Sequence, residues 1–209
     1  MQSASRQAHW ENVYTKKGEN EVSWFQERVY PAQSVELIAE LGASPDAAIV
    51  DIGGGASRLV DSLVAKGFRA VTVLDLSESA LKTAQARLGQ DSALVRWLVA
   101  DVTTWEPTQE YDVWHDRAAF HFLTEDKDRV AYVARLRRAL KVGGHVIIAT
   151  FALDGPEKCS GLPVVRYDAE SLGQALGTEF RLVHTLRHEH ATPWGSQQFF
   201  QFSVFQRAL

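Results

Sequence analysis

The chain has 209 residues, 45% of them apolar, and a net charge of −4 from 22 Lys and Arg against 26 Asp and Glu. That length suffices for one domain with a sizeable core, and the apolar share is that of a globular chain, not of a disordered or membrane-embedded one. The basic residues are scattered, as at 135–138 on an expected exposed helix face, so no nucleic-acid partner is expected.

Cys159 is the one cysteine, which excludes an intrachain disulfide and a cysteine-rich zinc site. Residues 1–7 lack an apolar leader core, and no run reaches the roughly 18 apolar residues of a membrane span. The expected compartment is the cytoplasm, without membrane contact.

Residues 8–17 and 31–41 read as helices, the second opening with Pro31, where proline suits a first turn. The short aromatic stretch 21–25 lies between them. Residues 1–45 are thus expected to form a helical cap across the mouth of a core made by 46–209, the whole chain being a single domain.

Residues 47–52 read as a buried parallel strand, followed by three glycines and a helix at 59–66. Glycine tolerates positive φ in such a turn and has no Cβ to keep a ligand from the main-chain N–H groups. Asp51 at the strand end can hold this loop or meet a cation. The next apolar run, 70–74, ends at Asp75, where a carboxylate can accept from both hydroxyls of an unphosphorylated ribose. Read as G-x-G-x-x-G, the loop has Gly53 and Gly55 but Arg58 in the third position, which lowers the fit to NAD. A helix at 79–88, an apolar run at 94–99 ending near Asp101, and a run from Tyr111 to His115 followed by Asp116 and Arg117 continue the alternation. A further helix is expected at 127–140, with Gly143 and Gly144 as its turn signal. Four successive strand ends carry an acid, and the alternation implies a parallel sheet with helices on both faces. Runs 181–188 and 197–205, joined by a short turn at 192–195, suit an antiparallel hairpin.

At these residues the chain resembles the class I S-adenosylmethionine-dependent methyltransferases. The glycine motif is matched by 51–55, the ribose acid by Asp75, the adenine-side acid by Asp101, the strand-4 segment by 111–122 and the helix-to-strand-5 turn by 136–144. Gly54 departs from members with cysteine or another small residue there. The resemblance implies a Rossmann-like α/β fold with a seven-stranded mostly parallel sheet, a C-terminal hairpin and an N-terminal cap. It implies S-adenosyl-L-methionine as cofactor, with Gly53, Gly54 and Gly55 beside its methionine and ribose part. Asp75, with Leu76 and Ser77 after it, takes the ribose; Asp101 takes the adenine amino group, with the Val102 N–H near a ring nitrogen. Asp116 and Arg117 lie near the methionine end.

Trp10 and Tyr14 share a helix face, and with Trp24 they suit an aromatic lid or ordinary packing of the cap. His121 can take an acceptor proton beside Tyr14 and Asp116, or be a satisfied structural histidine, as His115 can. His188, His190 and Gln197 can line an acceptor pocket, and Cys159, Ser160 and Arg166 sit on a loop after strand 5 that suits acceptor recognition. No metal-ligand spacing includes these histidines. The acceptor is expected to be a small molecule or a protein lysine. Two alternatives stay open: a non-catalytic nucleotide- or partner-binding module, and an NAD-dependent oxidoreductase. The sequence leaves the oligomeric state open.

Overall fold

In a computed structural model, residues 3–16, 32–192 and 195–208 are described. The expectations for Pro31, Trp24, the 21–25 stretch and the middle of the 192–195 turn lie outside these residues.

The core strand β1 (Ala48–Ile52) pairs in parallel with β2 (Ala70–Asp75) on one side and β4 (Tyr111–Arg117) on the other. With β3 (Val95–Val99), β5 (Leu140–Phe151), β6 (Phe180–Ala191) and β7 (Gln197–Arg207), the sheet runs β3-β2-β1-β4-β5-β7-β6. The first five strands are parallel, and β7 and β6 close the sheet as an antiparallel hairpin. Helices α1 (Ser3–Lys16), α2 (Ala32–Glu40), α3 (Leu59–Ala65), α4 (Glu78–Leu88), α5 (Asp126–Ala139) and α6 (Ala169–Leu176) complete this Rossmann-like α/β fold.

Successive strand side chains point to opposite faces, and two apolar cores follow from that period of two. Ile49, Val73, Val113 and Ile147 enter one core with Ile38 of α2, Leu63 of α3 and Leu81 of α4. Their neighbours Val50, Leu74, Trp114 and Ile148 enter the other, with Tyr132 and Leu136 of α5 and Leu172 of α6. The edge strand β3 is more open than the 94–99 run suggests, with Leu94 and Val99 exposed.

Two boundaries differ from the sequence reading. Helix α1 starts at Ser3, before residue 8. Gly143 and Gly144 fall within the bounds of β5, in the four residues 141–144 that stand opposite Asp112 alone where the register with β4 shifts between Tyr111 and Val113. Among the described residues no helix is long and apolar enough to cross a membrane.

Candidate functional site

The strand order reverses between β1 and β4, and a crevice at the carboxyl ends of parallel strands flanking such a point is where α/β sheets take their ligands. A cavity opens there, with Gly53, Asp75 and Asp101 on its β1–β3 side. Arg117, Phe151 and Phe200 lie on its β4–β7 side, and Arg6, Trp10 and Tyr14 of α1 border both.

The glycine loop is hung on β2: the Gly53 N–H donates to the Leu74 carbonyl at 2.8 Å. Gly53 and Gly55 have φ of +67° and +47°, a region that costs glycine nothing. A Cβ on Gly55 would lie 3.0 Å from both Asp75 Oδ2 and the Tyr14 hydroxyl, so the bare backbone keeps this corner open. At Gly54 a Cβ would lie 2.5 Å from Asp51 Oδ2 and 2.6 Å from Val73, so glycine is the residue this packing accepts. Across the cavity Ala118 takes a φ of 66° without being glycine, a strained backbone of the kind that collects at functional sites.

Asp75 accepts from the Ser77 N–H at 2.8 Å, and Ser77 in turn caps α4 by accepting from the Ala80 N–H. Burial, reinforced by the Asp51 charge, pushes the Asp75 carboxyl up to about 7. Asp101 accepts from the Thr103 N–H and hydroxyl with one oxygen and meets Arg6 at 3.3 Å with the other. Arg6 also holds Asp128 at 2.8 Å, and Glu11 accepts from the Ser77 hydroxyl at 2.7 Å and from the Ser79 N–H and hydroxyl. Helix α1 is thereby latched along the edge that bears both acids.

Leu76 and Val102 line the cavity. Gly54, Gly55 and Ser77 support that lining from behind, through the contacts just given. Asp51 faces away from the cavity and pairs at 2.7 Å with His115, whose other ring nitrogen meets the Ser34 hydroxyl at 2.8 Å. Its role is to tie β1, β4 and α2 together, the loop-holding alternative. Asp116 and Arg117 part company because strand neighbours face opposite ways. Asp116 is fully buried and accepts from the Ala119 and Phe120 N–H groups and the Tyr132 hydroxyl, while Arg117 lines the cavity.

His121 is fully buried outside the cavity lining, its ring edge-to-face with Phe122 and its Nδ1 accepting from the Phe151 N–H at 3.4 Å. Burial, with help from Arg117, pushes its imidazole down to about 3, so it stays neutral and is a feeble base at neutral pH. Cys159 lines the cavity, whereas Arg166 turns to the Gly155 carbonyl and Glu157. At the hairpin, Gln198 lines the cavity in place of the expected Gln197, and His190 packs on Phe200 with ring centroids 6.2 Å apart. Sequence reading missed Arg6 and Glu11. The four-residue spacing that joins Trp10 to Tyr14 also reaches back to Arg6, a signal that could have found it.

Fold and cavity define an α/β protein built to take a nucleotide-like ligand at the carboxyl edge of its sheet. Residues 49–144 match the family model of a methyltransferase domain. The eEF1A lysine and N-terminal methyltransferase of Mus musculus is 24% identical over 153 residues, 69% of this chain and 21% of that protein, so the chain spans about a fifth of its length. The 1,6-didemethyltoxoflavin-N1-methyltransferase of Burkholderia thailandensis, solved with 1,6-didemethyltoxoflavin and S-adenosylhomocysteine bound, superposes with a TM-score of 0.76 at 21% identity over 100% of this chain and 92% of that one. A SAM-dependent methyltransferase from Anabaena variabilis gives 0.76 at 18% identity over 97% and 95%. Residues 49–144 thus match a methyltransferase domain, and the chain as a whole has the fold of S-adenosylmethionine-dependent methyltransferases of known structure.

Proposed function

We propose that this chain is an S-adenosylmethionine-dependent methyltransferase that acts on a small molecule, and that residues 1–45 and 46–209 work as cap and core of one domain in the cytoplasm. The observation that carries the small-molecule reading is the roof: α1 is fastened over the cavity by Arg6 and Glu11, which suits a compact acceptor better than a protein chain.

The residues fit S-adenosylmethionine. The Gly55 corner, which a Cβ would fill, leaves room for the sugar next to Asp75. A carboxylate with one oxygen toward that corner suits a vicinal diol, and Asp101 with Val102 beside it suits an exocyclic amine and a ring nitrogen. When bound, the cofactor supplies a methyl group on a sulfonium. The chain's own part is to hold donor and acceptor in line and keep water out, which can supply on the order of 7–11 kcal/mol. We assign Tyr14 to contact with the reacting groups, and give Asp116 and His121 positioning roles through the 119–120 turn and Phe151.

Latching by α1 has a kinetic consequence. Arg6→Met removes the cation shared by Asp101 and Asp128, and is expected to raise the dissociation rate of S-adenosylhomocysteine about tenfold, or ~1.4 kcal/mol. Stopped-flow tryptophan fluorescence reads this directly; an unchanged rate would show that α1 does not gate the cavity.

The acceptor class is tested by incubating the protein with methyl-labelled cofactor and cell extract, then separating proteins from small molecules. Label in the small-molecule fraction is expected. Label confined to protein would favour the second reading, a lysine acceptor, which the similarity to the mouse enzyme supports.

A further inference from the structure

The cavity has two unlike halves. Asp75 and Asp101 border the half beside β1–β3, while the rings of Trp10, Phe122, Phe151 and Phe200 border the half toward the hairpin. Phe122 meets Trp10 edge-to-face with centroids 5.0 Å apart, and Phe151 meets Phe200, its partner in the β5–β7 register, at 4.9 Å. Walls of this kind take a flat ring, and the few polar groups set among them decide how it lies.

The sheet treats the four glutamines of β7 differently. Gln206 donates to the Gly143 carbonyl at 3.1 Å, and Gln201 donates to the Thr185 hydroxyl and the Phe202 carbonyl. Gln197 is exposed and faces away from its neighbour. Gln198 lines the cavity, and among the described residues its amide has no hydrogen-bond partner. Strand β5 ends at Phe151, opposite Phe200, so Gln198 stands about 7 Å further along β7 on the same face, at the rim above those two rings. Its backbone is fixed there: Gln198 pairs with His190 of β6, and the carbonyl of Phe199 accepts from the Ala152 N–H at 2.9 Å. A side chain on a strand held from both sides keeps its aim. Arg117 and Cys159 are the other polar side chains lining this half; the Arg117 guanidinium lies 5.0 Å from the Phe200 ring centroid, and neither residue is without a partner.

A carboxamide sets two N–H donors beside a carbonyl acceptor in one plane. An ammonium group would satisfy its carbonyl alone, and a carboxylate its N–H groups alone. An N–H next to a C=O on the edge of a ring satisfies both, and the ring suits the aromatic walls.

We propose that Gln198 selects the methyl acceptor, and that the acceptor is a flat heteroaromatic compound with a lactam-type edge, which pairs with the Gln198 amide while its ring lies among Trp10, Phe122, Phe151 and Phe200. This rests on the methyltransferase reading above.

The test uses the full chain saturated with S-adenosylhomocysteine and three flat probes on one bicyclic frame: quinolin-2(1H)-one, its N-methyl derivative, which has lost the N–H, and quinoline, which lacks the lactam edge. Isothermal titration is expected to show quinolin-2(1H)-one bound at least tenfold tighter than either of the others. Gln198→Met keeps the length of the side chain and removes its hydrogen bonds. It is expected to abolish the lactam preference, with quinoline affinity and S-adenosylhomocysteine affinity each within about threefold of the parent chain, which also certifies its fold. Absence of quinolin-2(1H)-one binding, or equal binding of the three probes, would overturn the proposal using the wild-type protein alone. So would a variant that keeps the preference, or one that loses all three probes equally, as a residue that merely shapes the rim would. A loss of S-adenosylhomocysteine affinity in the variant that matches the loss for the lactam would overturn it too, because the amide would then belong to the cofactor. Failure of the wild-type chain to bind S-adenosylhomocysteine at all would sink the methyltransferase reading itself, and this proposal with it.

Discussion

Asp75→Ala is expected to weaken S-adenosylmethionine binding about 100-fold in isothermal titration, or ~2.7 kcal/mol, the largest cofactor effect at any one position. Hydrogen bonds to a charged acceptor contribute about 1.5–3 kcal/mol each, and a ribose offers two donors to one carboxylate. The substitution also frees the Ser77 N–H that Asp75 holds at 2.8 Å, loosening the first turn of α4. Asp75→Asn keeps one acceptor for Ser77 and should lose about tenfold. The wild-type protein adds a signature that a merely structural acid would lack. Burial raises the Asp75 carboxyl from 3.8 to about 7, whereas two hydroxyl donors favour its ionised form. Cofactor affinity should therefore rise with pH through 7 and binding should release protons, read from titrations in buffers of different ionisation enthalpy. Without ligand the sign for folding is the reverse: with the folded value above the unfolded one, this group favours the folded chain below pH 3.8 and that contribution is lost as pH rises through about 7. Affinity that stays flat from pH 6 to 8 would remove Asp75 from the ribose.

Whatever repeats along the chain was legible before any coordinates. Apolar runs ending in Asp51, Asp75 and Asp101, with glycines after the first, are local patterns, and β1 to β4 form within a residue or two of where those runs place them. What depends on facing was not legible. Nothing in the order of Asp116 and Arg117 says which of two neighbours looks into the cavity; the register of β4 between β1 and β5 decides it. The same single-residue choice exchanged Gln197 for Gln198 on β7. His121 had the right place in the chain for a base, but a short 3-10 turn tucks its ring against Phe122 and Phe151 and strips it of water. Arg6 meets Asp101 and Asp128 from a helix far away in sequence, and such pairings exist only once the sheet has assembled.

Asp116→Ala is expected to cost about 3–5 kcal/mol of stability, lowering Tm by on the order of 10 °C in a thermal melt followed by circular dichroism. The residue is fully buried, and its carboxylate accepts from Ala119 at 2.9 Å, Phe120 at 3.1 Å and the Tyr132 hydroxyl at 2.8 Å. That hydroxyl also accepts from Trp114 Nε1 at 2.7 Å, so one substitution leaves a chain of buried donors without acceptors and opens a void beside two large rings. Burial pushes this carboxyl up to about 6, and Asp116→Asn, which imitates its protonated form, should lose only about 1–2 kcal/mol. The pair of variants separates the two roles a strand-end acid can have. A residue touching the reacting groups would lower kcat in both variants with Tm unmoved. A residue that shapes the 118–120 turn, and through it Ala118 and the base of Arg117, should lower Tm steeply in Asp116→Ala, less in Asp116→Asn, and leave cofactor affinity in the asparagine variant close to that of the parent chain.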